Sequence, residues 1–118
     1  MIYELRHYVV VPGKGEAVLN RFKNHTFKIF ERRGFKVHDF WLEANGSGHL
    51  WYVLEWQSAE QMESEWIKFK SDEEWQSVKA ESEKDGPIVE KINVIVLKRL
   101  ASELLISASE GTRVAERN

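Results

Sequence analysis

Histidine and tyrosine are the residue types in this chain that could move protons near neutral pH. His25 lies in the middle of a predicted first helix, and Tyr52 lies in a predicted strand. A histidine titrates near neutrality and a tyrosine hydroxyl can hydrogen-bond an oxyanion, so the two could carry out general acid–base catalysis. We therefore take His25 and Tyr52 as the candidate catalytic residues. The alternative is that each one is a structural residue of the core.

Aromatic side chains are predicted to surround this pair in a gap between the helices and the sheet. Successive side chains of a strand point to opposite faces, and the alternation assigns several large side chains to the face that the helices cover. Aromatic walls suit a flat apolar ligand. The expected substrate-pocket residues are Tyr3, His7, Phe22, His38 and Trp56.

Cofactor chemistry has no support in the sequence. The chain contains no cysteine, which excludes a thiolate nucleophile and a cysteine-based zinc site. Its four histidines show neither His-x-His nor His-x-x-x-His spacing, so we expect no metal site. "GKGE" lacks the spacing of a phosphate-binding loop, and "GSG" (46–48) lies in a predicted hairpin. We expect no cofactor.

Length and charge narrow the class of protein. The chain has 118 residues, enough for one domain with a hydrophobic core, and a net charge of −2. Without a basic field, a nucleic-acid partner is not expected. The opening "MIYELRHY" has no secretory signal pattern, and no apolar run is long enough to span a membrane. The expectation is a soluble cytoplasmic protein.

Hydrophobic periodicity predicts the elements that must position these residues. The order is β-α-β-β-α-(α)-β, with possible capping boxes at Ser58, which opens a second helix, and at Ser71, which opens a short one. With right-handed crossovers this predicts an α+β, ferredoxin-like split β-α-β-β-α-β antiparallel sheet of order 4-1-3-2, with helices on one face. The predicted strands are 2–11, 35–43, 49–56 and 88–100, and the first helix is 14–33.

The other face of this sheet is predicted to be a homodimer interface. Pairing the hairpin about its loop places Trp41 opposite Trp51, and a solvated face does not normally carry two tryptophans. We expect two sheets to stack face to face in a dimeric α+β barrel. Glu4 and Arg6 would form a structural ion pair or, alternatively, clamp an anionic group inside the barrel. The expected interface residues are Glu4, Arg6, Tyr8, Trp41, Trp51 and Val53.

Several stretches resemble the NIPSNAP family, within the dimeric α+β barrel group. They are "MIYELRHYVVVPGKGEAV", His25, "FW" (40–41) and "SDEEWQ" (71–76). The resemblance covers residues 1–100, which we take as a NIPSNAP-like barrel domain; residues 101–118 form a C-terminal tail or an arm on the partner subunit. One departure is Glu55, where a small or neutral residue is expected.

The resemblance implies a dimeric barrel and no settled reaction. More distant barrel relatives include cofactor-free oxygenases, heme-degrading enzymes, isomerases and lactone-forming enzymes, several of which hold the substrate between helices and sheet. Two functions remain: a cofactor-independent oxygenase or isomerase acting on an aromatic or apolar compound, or a non-catalytic ligand-binding or interaction module. An open gap with His25 at its wall favours the first. A gap filled by Phe22, Ile29, Trp56 and Met62 favours the second.

Overall fold

The computed structural model describes residues 1–100, and the arm predicted for residues 101–118 lies outside them. In chain order the described elements alternate between one sheet and one layer of helices. They are β1 (Ile2–Val10), α1 (Gly15–Arg21), a π-helical turn (Phe22–Thr26), α2 (Phe27–Arg32), β2 (Lys36–Leu42), β3 (Leu50–Trp56), α3 (Ala59–Lys70), α4 (Glu73–Ser82) and β4 (Val89–Leu97).

The sheet has the order β2-β3-β1-β4, and the neighbouring strands are antiparallel. This is the predicted 4-1-3-2 order read from the other edge, so the ferredoxin-like α+β topology is confirmed. The hairpin register is also confirmed, because Trp41 pairs with Trp51 and Phe40 pairs with Tyr52.

The start of one helix differs from the prediction. Ser58 caps α3 as expected, since its hydroxyl accepts the Gln61 N–H at 3.1 Å. The cap of α4 is Asp72, whose carboxylate accepts the Trp75 N–H at 3.1 Å. Ser71 was the predicted cap, but it ends α3 and donates its hydroxyl to carbonyls of that helix.

The predicted face assignment of β1 is wrong. Residues directly opposite each other on paired strands share a face. Three residues assigned from sequence to the dimer interface instead lie on the helix-covered face, opposite buried residues of β3. The pairs are Glu4 with Leu54, Arg6 with Tyr52, and Tyr8 with Leu50.

The same register moves two predicted pocket residues to the opposite side of the sheet. Tyr3 pairs with Glu55 and His7 pairs with Trp51, on the face that the helices leave uncovered. We call this side the open face. Both faces of β1 carry large apolar groups, so its alternation alone did not say which one the helices cover.

A β-bulge moves His38 to the open face as well. The pairing of β2 with β3 shifts between Val37, opposite Leu54, and Asp39, opposite Val53. The extra residue reverses the alternation at this point. His38 therefore hydrogen-bonds Glu55 at 2.7 Å, outside the predicted pocket, and Val37 packs against the core.

His25 also lies outside the gap between helices and sheet. It belongs to the π-helical turn, whose wider winding shifts the side-chain phase relative to an α-helix. As a result Phe22 and Thr26 are buried and His25 is exposed.

The gap around Tyr52 is filled. Tyr52 and Ile29 are fully buried, Phe22 and Trp56 nearly so, and Met62 packs against them. The ring of Phe22 lies 5.2 Å from that of Tyr52. In residues 1–100 no helix combines the length and apolar character that crossing a membrane requires.

Candidate functional site

A buried ion pair lies at the centre of β1. Glu4 is only 2% exposed, and its Oε2 accepts a hydrogen bond from Nη1 of Arg6 at 2.9 Å. Its other oxygen accepts the indole N–H groups of Trp56 at 2.9 Å and Trp66 at 2.8 Å. The carboxylate therefore has the partners that a buried charge needs. The structural ion pair predicted from sequence is confirmed, within one chain.

Arg6 connects this pair to two tyrosines. Its Nε donates to the hydroxyl of Tyr52 at 3.0 Å, and that hydroxyl is 2.6 Å from the hydroxyl of Tyr8. The guanidinium also lies 4.1 Å from the ring centroid of Trp66, a cation–π distance. Glu4, Tyr52 and Trp66 thus hold the guanidinium in one orientation, and Tyr8 holds Tyr52 in place.

The surroundings keep these groups in defined protonation states. Burial lowers the pKa of the Arg6 guanidinium, but Tyr52, Tyr8 and Glu4 together raise it above its ordinary value. Burial, and then the proximity of Tyr8, raise the pKa of the Tyr52 hydroxyl well above its usual range, although Arg6 opposes the shift. At neutral pH Arg6 is charged and Tyr52 is protonated.

A groove opens beside this network, between β1 and β4 on one side and α3 and α4 on the other. Its volume is about 430 Å³, within the range of small-molecule sites. The apolar wall consists of Tyr8, Trp66, Phe69, Trp75, Val89 and Ile92. The charged lining consists of Arg6, Arg21, Lys70, Lys79, Glu83 and Lys91.

The charges of this groove are mostly positive. Glu83 is paired with Arg21 at 3.3 Å, so neither adds net charge. Lys70 and Lys79 form no ion pair with residues 1–100 and contribute two uncompensated charges. Lys91 lies in the edge strand β4 and adds a further lysine to the lining.

The predicted catalytic pair is not brought together. Tyr52 is buried in the core, whereas His25 lines a separate groove of about 380 Å³ between α1, the π-helical turn and α4. Of the predicted pocket residues, Phe22 and Trp56 lie in the core beside Tyr52. Tyr3 and His38 contact each other on the open face, with ring centroids 5.4 Å apart.

His7 belongs to a second polar cluster, at the end of the open face. Its ring stacks on Trp51 at 3.9 Å, and its Nε2 is 3.0 Å from Glu43. The indole N–H of Trp51 donates to the same carboxylate at 2.8 Å, and this bond is the main reason that the pKa of Glu43 is lowered. Asn93 contacts the other ring nitrogen of His7 at 3.3 Å. Because both nitrogens are occupied, His7 is held in place.

The groove residues that were not expected from sequence include Trp66, Lys70, Trp75 and Lys79. The usable signal was the pair of opposite charges inside an otherwise apolar strand, because such charges must find buried partners. Within the described residues no cluster of three or more histidine or acidic side chains could hold a metal ion.

The chain resembles proteins of one family both in sequence and in structure. The NIPSNAP family model matches residues 3–103. No curated protein matches the chain with significant sequence similarity. A NIPSNAP domain protein from Burkholderia xenovorans has a similar structure, with 16% identity, a TM-score of 0.73, and coverage of 86% of this chain and 97% of that one.

Two further solved structures share the fold. A NIPSNAP family protein from Agrobacterium tumefaciens has 16% identity and a TM-score of 0.74, covering 86% of this chain and 94% of its own. An antibiotic biosynthesis monooxygenase has 12% identity and a TM-score of 0.62, covering 86% and 100%. At these identities the likeness concerns the fold alone.

Proposed function

The chain belongs to the NIPSNAP family, and we propose that it binds a small apolar or aromatic molecule in the groove between β1, β4, α3 and α4. One observation carries this proposal: the groove combines an aromatic wall with a guanidinium, that of Arg6, which hydrogen bonds hold in place. Binding sites typically join an apolar cavity to a few fixed polar groups. A preorganised site also loses little entropy when a ligand binds.

A titration with a neutral aromatic compound tests the groove. Isothermal calorimetry with 2-naphthylmethanol is expected to show one site per chain. Ile92→Trp fills the groove and should weaken binding by about tenfold or more, equivalent to about 1.4 kcal/mol. Ile67→Trp, at an exposed position of α3 outside the groove, is the control and should bind normally. No binding to the unmodified protein, or equal binding by both variants, would contradict the proposal.

The reaction class that this site could support is that of a cofactor-independent oxygenase or isomerase. Arg6 would stabilise negative charge that develops on an oxygen of the substrate, as in an enolate. An antibiotic biosynthesis monooxygenase has the same fold, which supports the oxygenase as a candidate. Oxygen uptake, or isomerisation of the bound compound, is the activity to measure.

A non-catalytic ligand-binding module is the second candidate. Its support is that no histidine lines the groove, whose one carboxylate, that of Glu83, is paired with Arg21. An obvious general base is therefore missing from the lining of the described groove. Binding without turnover of any bound compound would favour this candidate.

We also propose that two copies pair through their open faces. Trp41 is 48% exposed there, and Ile95 and Leu97 are half exposed. A contiguous exposed apolar patch typically marks an interface. The charges on this face are largely paired, Glu55 with His38 and Lys36, so their burial would leave few uncompensated groups.

A further inference from the structure

We infer that the ligand of the groove is an aromatic carboxylic acid, bound as its carboxylate, with Arg6 as the anchor. This inference rests on the proposed function, because it names the ligand class of the same groove. It comes from the hydrogen bonds of Arg6, the charges around the groove and the shape of its wall.

One nitrogen of Arg6 remains available to a ligand. Nε donates to Tyr52 and Nη1 donates to Glu4, whereas Nη2 has no hydrogen-bond partner among residues 1–100. The side chain is 13% exposed and lines the groove. One fixed N–H donor group therefore remains for a ligand, on a guanidinium that stays charged.

The mouth of the groove carries an excess of positive charge. Glu4 balances the charge of Arg6, and Glu83 balances that of Arg21. Lys70 on α3 and Lys79 on α4 remain without an ion-pair partner in the described part of the chain. Although the whole protein carries −2, this groove has a local excess of positive charge that favours an anion.

The donors and the wall of the groove favour a carboxylate on an aromatic ring. A carboxylate has two oxygens, which match the free Nη2 group together with one lysine ammonium. A carboxylate joined directly to a ring also places that ring against the apolar wall of the groove. The wall beside Arg6 is built from Trp66, Phe69 and Trp75, and stacked aromatic side chains of this kind suit a flat aromatic ring.

The test compares two ligands that share a naphthalene ring and carry either an ionised carboxylate or a neutral hydroxymethyl group. The affinity of 2-naphthoate and of 2-naphthylmethanol is measured by calorimetry on the full chain at low salt. Naphthoate is expected to bind about tenfold more tightly, because hydrogen bonds to an ionised acceptor are stronger than neutral ones. Arg6→Lys keeps a charge beside Glu4 but loses the planar donor group, and it should bring the two affinities to within about twofold.

A matched pair of double variants distinguishes the effect of the positive charge at the groove from a general effect of removing two lysines. Lys70→Gln/Lys79→Gln should weaken naphthoate by about threefold to tenfold and leave the alcohol unchanged. Lys23→Gln/Lys28→Gln removes the same charge from exposed positions outside the groove and should change neither affinity. Circular dichroism confirms that each variant is folded.

The outcomes distinguish the two levels of the proposal. Equal affinity of both compounds for the unmodified protein would overturn the carboxylate inference and leave the groove as a binding site. Folded Arg6→Lys protein that retains the tenfold preference would overturn Arg6 as the anchor. Failure of both compounds to bind would overturn the proposed function itself.

Discussion

The indole N–H of Trp66 donates to the buried carboxylate of Glu4 at 2.8 Å, although the two residues are 62 positions apart. This bond ties α3 to the central strand β1. The same tryptophan stacks on Arg6, so one side chain positions both members of the ion pair. The network that supports the floor of the groove is thus also a connection between the helix layer and the sheet.

Removing the charge of Glu4 should destabilise the fold strongly. Glu4→Gln leaves the Arg6 guanidinium without a counter-ion in a nearly buried position, and breaking such a pair costs about 3–5 kcal/mol. The free energy of unfolding, measured by urea titration, should fall by about 3 kcal/mol or more. Glu60→Gln, at an exposed position of α3, should change it by less than about 0.5 kcal/mol. Equal effects of the two substitutions would argue against the ion pair as a stabilising element.

Trp66→Phe should show the contribution of a single hydrogen bond. The variant keeps an aromatic ring but loses the N–H that Glu4 accepts, and a hydrogen bond to a charged group is worth about 1.5–3 kcal/mol. Trp75→Phe is the control, because the indole N–H of Trp75 makes no hydrogen bond with residues 1–100. Chemical denaturation should show a loss for Trp66→Phe that exceeds the loss for Trp75→Phe. The reverse order would refute the role assigned to this bond.

Asp72 should account for part of the acid sensitivity of the protein. Burial alone would raise its pKa, but hydrogen bonds from Arg32, the Trp75 N–H and Arg33 lower the pKa to about 2. Because the folded-state pKa lies below the unfolded value of about 3.9, its contribution is present above pH 4. That contribution is lost as the pH falls toward 2. Unfolding measured at several pH values between 5 and 2 should show this decline.

Two substitutions separate the roles of Asp72. Asp72→Asn keeps a good N-cap but loses both ion pairs, so it should reduce the pH dependence in that window. Asp72→Ala also loses the cap, which costs about 1 kcal/mol more. An Asp72→Asn variant with unchanged pH dependence would mean that other carboxylates dominate.

Trp41→Glu should separate the proposed dimer into monomers. Trp41 is half exposed, so the isolated chain should tolerate the change, whereas an interface would bury an uncompensated charge. Trp51 is a poorer choice, because its indole N–H already bonds Glu43 within the chain. Native mass spectrometry at micromolar concentration reports whether the protein is a monomer or a dimer. Ile67→Glu, at an exposed apolar position of α3, is the control and should stay dimeric. A Trp41→Glu variant that also stays dimeric would exclude the open face as the interface.

The sequence predicted the secondary-structure elements and the pairing of neighbouring strands more reliably than it predicted which face of the sheet each side chain lies on. Period-two and helical patterns identified the strands and helices, and the turn residues between 43 and 49 identified a hairpin whose register is correct at Trp41 and Trp51. The opposite charges of Glu4 and Arg6 also predicted their ion pair. Each of these predictions depends on residues close in sequence or on the need of a buried charge for a partner.

The candidate site required the tertiary structure, for three physical reasons. Both faces of β1 carry large apolar groups, so its pairing with β3 and the contact of Glu4 with Trp66 are needed to show which face the helices cover. One extra residue in β2 reverses the side on which His38 lies, and one π-helical turn moves His25 away from the sheet. Alternation determines which residues share a face, but contacts between distant segments decide where that face points. By itself the sequence therefore determined the topology, whereas the groove beside Arg6 exists only once α3 and α4 are packed on the sheet.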